Sequence, residues 1–571
     1  MCGGFFVLLL AFIRSAFLVE ALSVEDVSRA LVLDTAIVDH LKNFLTEASN
    51  GTSNNHQAHS NIHSYYINEF IREHEQIFGN VQTSNTTEMK GIEAASDPVK
   101  SLILTRRLSK GWPQLLRISK TVPRHSSWKK VKSEVLKVEK ELGLVIEEED
   151  LNSQTDAFAR VIHMYKLKPK ELTSLGYQRQ KSYFSTHLKT LDVALIVGAA
   201  FDERLYGTAV DVLSSVRELT ETASETSQET ISNRSNLMRN LNHLIYLSSK
   251  LHDLRLSSED YKPQPGMFPR FLSQVPISTQ REERELLTDP LTLRTNLPTS
   301  VKHTEEDSLR FAEICRGHNF ISIAERARLR CRLESRGSPY LILMPAMVEE
   351  HSLNPSIVSF HKALSHKQIK EITDTAKPML EQAKIKADDR IGPDASFKVR
   401  SSYTAWIREE RLPMLKKLRA KIEALTGLSA DETTNAAEIL QVNLYAAGGY
   451  YLPHVDAFGL LSDQEGENAD AAVISSGGDR IATFMFYMND VNAGGQTAFP
   501  RIGVGVKPAA GNAVFWSNLL PDGFQDTRTL HGACPVLKGI KWVSNKWIRY
   551  DQQFQRKPCL LQQPSRDRQK T

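Results

Sequence analysis

The sequence predicts a multidomain protein with an all-α N-terminal half and a C-terminal double-stranded β-helix, the jelly-roll fold. Over residues 23–254, apolar side chains recur at intervals of three and four, as they do on one face of a helix. From Glu438 onward, short alternating runs are separated by Gly-rich turns, a pattern typical of a double-sheet jelly roll. With 571 residues, the chain is also too long for a single hydrophobic core.

Residues 1–22 are expected to be a signal peptide, because Phe5 to Val19 is largely apolar and small residues follow it. A membrane anchor or a buried helix is the alternative, but the run is shorter than the roughly 20 residues that span a bilayer. No membrane span is therefore expected. Secretory entry would expose three N-glycosylation motifs, which begin at Asn50, Asn85 and Asn233.

The net charge is small: Lys and Arg number 71 and Asp and Glu number 67, a formal charge of +4. This balance provides no electrostatic argument for binding nucleic acid or a membrane surface. The hydrophobic content of 41% is typical of a soluble globular protein.

Residues 23–147 are predicted to form a helical, coiled-coil-like domain. Ser23 and Asp26 are suited to cap a first helix, Gly79 to end a second, and Asp97 followed by Pro98 to begin another. The apolar stripes of these helices are more often core than partner surface, although polar helices of this kind commonly complete their burial against a partner.

Residues 148–254 are predicted to form a second helical domain. Leu191 to Leu219 reads as helix, turn, helix and loosely resembles one tetratricopeptide (TPR) unit. The tyrosines of this region either line a groove for a polyproline II peptide or are half-buried packing residues, and both interpretations remain open. They are Tyr165, Tyr177, Tyr183 and Tyr206. Residues 255–345 are expected to be a linker and a disulfide-containing segment, and residues 346–571 the catalytic domain.

Four cysteines remain once Cys2 is assigned to the signal peptide. An even number in an oxidising compartment favours disulfides, and four cysteines allow three pairings. Pairing between nearest neighbours is expected, since it keeps each bridge within one region. The expected bridges are Cys315–Cys331 and Cys534–Cys559.

His454 and Asp456 lie two residues apart at the end of a predicted strand, so their side chains share one face. His531 begins another predicted strand and is the candidate third ligand. Two imidazoles and one carboxylate on one face of a metal ion are the ligand set of non-haem Fe(II) oxygenases. The spacing therefore predicts an iron site.

Lys541 begins an apolar strand, where a lysine is costly unless it is paired. A dicarboxylate cosubstrate that chelates the metal at one end and meets Lys541 at the other would satisfy this charge, and Tyr445 is a candidate second donor. Lys546, five positions further on, is expected on the opposite face as a surface lysine.

Several motifs resemble the catalytic domain of collagen prolyl 4-hydroxylase α subunits. The resemblance is densest over roughly the last 230 residues, and it extends upstream to residues 311–332 and 94–108. The motifs are Asn443 to Tyr445, Pro453 to Asp456, Arg480 to Thr483, Phe486 to Val491, Gly494 to Pro500 and His531 to Trp547.

The resemblance implies a procollagen-proline dioxygenase of the endoplasmic reticulum lumen. Its cosubstrates would be 2-oxoglutarate and O2, its cofactors Fe(II) and ascorbate, and its target the proline of X-Pro-Gly sequences. It matches His454, Asp456 and His531 to the iron ligands and Lys541 to the 2-oxoglutarate anchor. A dimerisation role for 23–147 and protein disulfide isomerase as β subunit of an α2β2 tetramer are expected as well. This partner supplies retention, which would explain the lack of a KDEL-type ending in residues 567–571.

Three aromatic residues are candidate contacts for the peptide substrate: Tyr451, Trp547 and Tyr206. Each is equally suited to a hydrophobic core. Three alternative functions remain open. The chain could hydroxylate proline in non-collagen proteins, it could act on lysine, or it could be a catalytically silent assembly subunit of the secretory pathway.

Overall fold

The computed structural model divides into two compact units, residues 1–289 and 290–571. Each unit has a hydrophobic core of its own. The residues that the structure describes are 22–50, 57–79, 84–119, 126–167, 190–202, 205–222, 228–257, 305–335, 338–383, 400–459 and 477–557.

The described part of the first unit is helical, as the periodicity predicts. A π-helical turn, Arg107–Gly111, separates α4 from α5. The helices are α1 (Val24–Asn50), α2 (Gln57–Phe78), α3 (Ser84–Ala95), α4 (Pro98–Arg106), α5 (Trp112–Ser119), α6 (Ser126–Leu142), α7 (Glu148–Tyr165), α8 (Thr190–Asp202), α9 (Tyr206–Thr222) and α10 (Gln228–Ser257).

The predicted helix ends are confirmed where polar side chains satisfy free backbone groups. The Ser23 hydroxyl accepts from the amide of Asp26, and the Asp26 carboxylate accepts from the amide of Ser23, a reciprocal cap for α1. The Asp97 carboxylate accepts from the amides of Val99 and Lys100, so α4 begins where Asp97-Pro98 predicts. Helix α2 ends before Gly79, whose φ is +66°.

A cluster of buried charges lies inside the first unit, around the π-helical turn. Arg107 is fully buried, and its Nε donates to both carboxylate oxygens of Asp34 at 3.1 and 3.0 Å. Glu73 joins the two guanidinium groups, bonding Arg107 at 3.0 Å and Arg106 at 2.6 Å. Arg106 also pairs with Asp192 of α8 at 2.6 Å. The two predicted helical domains therefore share buried ion pairs within one compact unit.

The predicted helix–turn–helix over Leu191 to Leu219 matches α8 and α9, joined by a short connection. Tyr206 at the start of α9 is 1% exposed and packs 5.8 Å from Phe201, as the core interpretation requires. Tyr165 is half-buried. Tyr177 and Tyr183 lie outside the described residues.

The second unit is rich in strands. Its described helices are α11 (Glu305–Cys315), α12 (Ile323–Arg326), α13 (Pro339–Leu343), α14 (His366–Ala376) and α15 (Met414–Thr426). Its described strands are β1 (Cys331–Glu334), β2 (Ala346–Leu353), β3 (Ser356–His361), β4 (Glu381–Gln382), β5 (Arg400–Ser401), β6 (Tyr403–Ile407), β7 (Leu440–Tyr445), β8 (Tyr450–His454), β9 (Arg480–Tyr487), β10 (Ala493–Gly494), β11 (Thr497–Phe499), β12 (Val504–Val506), β13 (Ala513–Ser517), β14 (His531–Ala533), β15 (Val536–Lys538) and β16 (Lys541–Arg549).

Two antiparallel sheets organise this unit. The larger has the order β1-β2-β3-β13-β9-β16-β7-β6-β4, and the smaller β12-β11-β14-β8-β5; β10 pairs with β15. The core cluster combines Tyr445, Tyr487 and Val543 of the larger sheet with Phe499 and Ala533 of the smaller. The two sheets therefore bury side chains against each other.

Of the predicted linker, 255–345, the structure describes residues 255–257, at the end of α10, and most of the stretch from Glu305 onward, which contains α11, α12, β1 and α13. Strand β1 joins the edge of the larger sheet, and α11 packs against β8, β11 and β12. This stretch of the chain is part of the second unit's fold.

The nearest-neighbour disulfide prediction is wrong. Cys315, the last residue of α11, is bonded to Cys534, just after β14. Cys331 is a free, exposed thiol on β1, and Cys559 lies outside the described residues. The prediction failed because it considered only closeness in sequence. Packing of α11 against the smaller sheet brings Cys315 and Cys534 together although they are 219 positions apart.

None of the helices described here is long and apolar enough to cross a membrane. The apolar run of the expected signal peptide lies outside the described residues. The three candidate glycosylation residues fall on helical backbone: Asn50 at the end of α1, Asn85 in α3 and Asn233 in α10.

Candidate metal centre

The structure brings His454, Asp456 and His531 together. His454 ends β8, His531 begins β14, and the two residues face each other in the antiparallel register. The Asp456 Oδ1 lies 3.7 Å from His454 Nε2, and its Oδ2 lies 3.6 Å from His531 Nε2. All three potential ligand atoms lie within 4.8 Å of one another, so a single metal ion fits between them.

Backbone carbonyls orient both imidazoles. His454 Nδ1 lies 2.8 Å from the carbonyl of Leu452, and His531 Nδ1 lies 3.0 Å from that of Thr529. A carbonyl only accepts, so each Nδ1 carries the proton and each Nε2 presents its lone pair to the centre. Metal-binding histidines are commonly held in this way.

The surroundings of His454 and Asp456 favour the protonation states that bind a metal ion, a neutral imidazole and an ionised carboxylate. Burial, aided by the charge of His531, lowers the pKa of His454 to about 3, so this imidazole is neutral at physiological pH. Burial raises the pKa of Asp456, but the two histidines and Arg480 lower it more strongly, and the carboxylate is ionised. A neutral imidazole and an ionised carboxylate bind a metal without first releasing protons.

The Asp456 carboxylate is itself held by the larger sheet. Its Oδ2 accepts from the hydroxyl of Thr483 at 2.6 Å, and that hydroxyl accepts from the side-chain amide of Asn518 at 2.9 Å. Thr483 and Asn518 are both buried. This chain of hydrogen bonds fixes the rotation of the carboxylate.

Lys541 is 1% exposed, as its place on an apolar strand predicts. Its ammonium lies 5.5 Å from the ring centre of Tyr445 and 5.7 Å from that of Tyr487, and no carboxylate of the described residues pairs with it. Burial lowers its pKa to about 7. A buried ammonium with no anion beside it is a site for an anionic ligand.

The expectation for Lys546 is wrong. It is 4% exposed and pairs with Glu432 at 3.2 Å. The sequence correctly places it on the face opposite Lys541, but that face is covered. A counter-ion more than 100 positions earlier in the chain is not visible from local spacing.

Tyr445 lies directly opposite Lys541 across the β7–β16 pair. Its hydroxyl hydrogen-bonds with the side chains of Ser402 and Arg400, and burial raises its pKa. Arg400 only donates, so the phenol oxygen accepts from it and the O–H itself faces Ser402 or a ligand. The predicted second donor is therefore placed beside Lys541.

The candidate peptide contacts are differently placed. Tyr451 is half-buried and stacks on the His454 ring, with ring centres 3.7 Å apart. Trp547 is 6% exposed, and the guanidinium of Arg480 lies 3.6 Å from its ring centre. Tyr206 belongs to the other unit and is buried there. Packing therefore occupies much of the surface of each of these rings.

Sequence reasoning missed four residues around the centre: Arg400, Asp479, Thr483 and Asn518. Arg400 is buried, with its guanidinium 4.8 Å from the ring centre of Tyr451 and hydrogen bonds to Ser402 and Thr404. Thr483 belongs to the Arg480–Thr483 motif, whose sequence alone indicates no role for its members. The roles of the other three depend on contacts with segments that are distant in sequence, which local spacing does not reveal.

The donor set fits the group that the sequence predicts. Two oriented imidazoles and one ionised carboxylate suit a divalent metal such as Fe(II) and leave further coordination positions open. The unmatched ammonium of Lys541 suits an anionic cosubstrate. His454, Asp456 and His531 would hold the metal, and Lys541 and Tyr445 would hold the cosubstrate.

Two family models match the chain. Residues 440–549, from β7 to the end of β16, match the 2OG-Fe(II) oxygenase superfamily. Residues 23–175 match the N-terminal region of the prolyl 4-hydroxylase alpha subunit. The first match contains the whole candidate centre and Lys541, and the second contains the helices of the first unit up to α7.

Individual relatives agree with these matches. Prolyl 4-hydroxylase subunit alpha-1 of Rattus norvegicus is 39% identical over 44% of this chain and 46% of its own length. Subunit alpha-2 of Caenorhabditis elegans is 29% identical over 83% of this chain and 84% of its own length. The chain thus spans about half the length of the vertebrate relatives it matches and most of the nematode relative.

Among solved structures, a viral collagen prolyl hydroxylase from Paramecium Bursaria Chlorella virus-1, in complex with 2OG, is similar to this chain. It is 22% identical and is matched over 34% of this chain and 94% of its own, with a TM-score of 0.26. Both the oxygenase model and the α-subunit N-terminal model match this one polypeptide, and the nematode subunit aligns along most of its length. Both its N-terminal region and its oxygenase region are therefore similar to those of prolyl 4-hydroxylase alpha subunits.

Proposed function

We propose that this chain is the α subunit of a procollagen-proline 4-dioxygenase, which hydroxylates proline at C4 in X-Pro-Gly sequences. Two observations carry the proposal: the convergence of His454, Asp456 and His531 with both Nε2 atoms directed inward, and the buried ammonium of Lys541, which no carboxylate of the described residues pairs with. The similarity to prolyl 4-hydroxylase alpha subunits supports the choice of proline as substrate.

The chain's own residues bind and orient the reactants. The two imidazoles and Asp456 bind Fe(II), while Thr483 keeps the carboxylate in a single rotamer. Lys541 neutralises the far carboxylate of 2-oxoglutarate, with Tyr445 as a second donor. When bound, iron and 2-oxoglutarate supply the oxidising chemistry, with O2 as the oxidant and CO2 and succinate as by-products. The aromatic core around Phe499 and Trp516, which packs against His531, excludes water.

The full chain, produced together with protein disulfide isomerase, tests the proposal. An X-Pro-Gly repeat peptide is incubated with Fe(II), 2-oxoglutarate and ascorbate, and both peptide mass and succinate are measured. We expect gain of one oxygen per modified proline, with 4-hydroxyproline on hydrolysis and an equal amount of succinate. The His454→Ala and His531→Ala variants should produce neither. Absence of succinate with every proline peptide would refute the proposal.

The same assay separates the alternatives. Oxygen gain in lysine peptides alone would identify a lysyl oxygenase, and gain in proline-rich peptides without X-Pro-Gly repeats would identify a non-collagen substrate. A silent assembly subunit would produce no succinate at all. The intact triad and the buried Lys541 argue against silence, because an unpaired buried ammonium destabilises a fold that does not use it.

We further propose the cellular setting that the family resemblance implies. The chain enters the endoplasmic reticulum with residues 1–22 removed, carries glycans at Asn50, Asn85 and Asn233, and uses ascorbate to keep iron reduced. It assembles with protein disulfide isomerase as an α2β2 tetramer, through a dimerisation region in 23–147. Glycosidase shifts, N-terminal sequencing and the mass of the purified complex test these points separately.

The finer architecture is also proposed. Two sheets that share one hydrophobic core support a double-stranded β-helix, and His454 and His531 lie on neighbouring strands of the smaller sheet. The α8–α9 pair supports a TPR-like peptide-binding region. An experimental structure with bound peptide would test both, and peptide bound away from α8 and α9 would contradict the second.

A further inference from the structure

Asp456 and His454 are supported in different ways. His454 is the last residue of β8 and is held by the ladder to β14, which ends at the His531–His454 pair. Asp456 lies beyond that ladder, so its backbone has no strand partner there. The segment after it, Ala457–Gly459, must be held by other groups if the carboxylate is to keep its place.

Asp479, which immediately precedes β9, holds this segment. Its Oδ1 accepts from the amide of Phe458 at 2.7 Å, and its Oδ2 accepts from that of Gly459 at 2.9 Å. Oδ1 also accepts from the amide of Arg480 at 2.7 Å. Asp479 is 7% exposed, so these charge-assisted hydrogen bonds are largely shielded from water.

The geometry at Gly459 explains why an acceptor is needed there. Gly459 has a φ of +74°, a left-handed conformation in which the chain turns away from the strand direction. Two successive amides, of Phe458 and Gly459, then point to the same side, and one carboxylate spans both. The Asp479 backbone carbonyl accepts from Tyr550, which ties this residue to the end of β16.

Strand β9 therefore supports Asp456 from two directions. Thr483 holds the carboxylate, and Asp479 holds the backbone two and three residues further along. We propose that Asp479 is a positioning residue. It fixes the backbone that follows Asp456 against the start of β9, and so keeps the Asp456 carboxylate in position to bind the metal. The inference relies on the proposed function only in taking the triad as a metal site.

The test measures metal binding without turnover. The full chain is produced with protein disulfide isomerase, and Mn2+ is titrated while the EPR signal of the free ion is followed. Binding that persists in the His454→Ala variant is subtracted as metal held elsewhere. We expect Asp479→Ala to weaken Mn2+ binding by about 10–100-fold, the usual effect of removing a group that supports a metal ligand.

Two variants keep the test decisive. Asp479→Asn has the same size and keeps one oxygen, but its NH2 group faces the amide of Gly459, so we expect an intermediate loss. Asp431→Ala is the matched control: Asp431 also accepts from a backbone amide, that of Thr433, but does not contact the segment after Asp456. It should leave Mn2+ affinity unchanged.

A purely structural role for Asp479 makes a different prediction. The melting temperature of the metal-free protein would fall in Asp479→Ala, while Mn2+ affinity would match that of the unmodified chain. Unchanged affinity in both Asp479 variants would overturn the inference, and if Asp479→Ala does not fold, Asp479→Asn decides alone. Failure of the unmodified chain to bind Mn2+ through His454 would instead refute the proposed function.

Discussion

Lys541 is fully buried and has no counter-ion among the residues that the structure describes. Burial lowers its pKa to about 7, from an ordinary value of 10.5. A neutral amine does not attract a carboxylate, so an anionic ligand binds only when Lys541 is protonated. Ligand affinity and proton uptake are therefore linked at this residue.

The expected result is a 2-oxoglutarate affinity that is flat below about pH 7 and falls by about tenfold for each pH unit above it. Calorimetry in buffers of different ionisation enthalpy should detect net proton uptake near pH 8. Lys541→Arg is the matched control, because a guanidinium stays charged across this range. Its affinity should be weaker but independent of pH. A pH dependence that survives in Lys541→Arg would show that another group is responsible.

The same shift affects folding with a defined sign. Between pH 7 and 10.5 the unfolded chain holds a proton on Lys541 that the folded chain lacks. Stability contributed by this residue therefore rises with pH across that window, and its full penalty is present below pH 7.

At the scale of single residues, the triad and Lys541 could be predicted because local rules define them. Strand alternation places His454 and Asp456 on one face, and an apolar strand makes Lys541 conspicuous. Asp479, Thr483 and Arg400 could not be found in this way. Their roles depend on which strands become neighbours, and an isolated Asp or Thr before an apolar run has many ordinary uses.

The π-helical turn is the element around which the first unit's charges gather. Burial raises the pKa of Asp34, but the charge of Arg107 and the hydrogen bond from His74 lower it further, so the net shift is downward. Because the pKa of Asp34 is lower in the folded chain than in the unfolded chain, its ionised carboxylate stabilises the fold at pH values above the unfolded-state pKa. That stability is lost as pH falls through the folded value.

Removing one member of this cluster leaves its partner buried and unpaired. Asp34→Asn should lower the free energy of unfolding by about 3–5 kcal/mol, as breaking buried ion pairs does. Denaturant unfolding at pH 7 measures the loss, with Asp39→Asn on the same helix as control. The difference between Asp34→Asn and the unmodified chain should shrink at strongly acidic pH. A difference that is independent of pH would contradict the electrostatic account.

The disulfide between α11 and β14 is an element-scale prediction with a direct chemical test. Peptide mapping under non-reducing conditions should recover Cys315 joined to Cys534. Cys315→Ala should destabilise the second unit, because it frees α11 from the sheet that carries His531, whereas Cys331→Ser should have no effect on stability. Recovery of Cys315 joined to Cys331 would restore the nearest-neighbour pairing.

Helix caps and alternating strands were well predicted at this scale. Ser23 and Asp97 each begin a helix where the sequence signals it, because a cap involves groups within three residues. The π-helical turn and strand β6 were not predicted. The turn is held by Arg107 bonds to two other helices, and β6 pairs with β7 across more than 30 positions.

At the scale of the whole molecule, the two units carry different parts of the proposed function. The metal centre and Lys541 lie in the second unit, and the proposed peptide-binding helices lie in the first. A long repeat substrate that binds at both units gains from the high effective concentration of its second contact. A substrate too short to bind both proposed sites lacks this gain.

The expected result is a KM that falls as the number of X-Pro-Gly repeats rises, with kcat nearly constant. Tyr165 is half-buried at the end of α7, so Tyr165→Ala should raise KM for long repeats and leave it unchanged for the shortest. Tyr206→Phe is the matched control, since Tyr206 is a core residue and Phe preserves its packing. Lys541→Arg should reduce turnover of short and long repeats by the same factor, because it acts at the metal centre. If Tyr165→Ala changes KM equally for all lengths, the tyrosine does not contribute to a separate peptide site. The proposal that the first unit binds peptide while the second carries the metal centre would then be wrong.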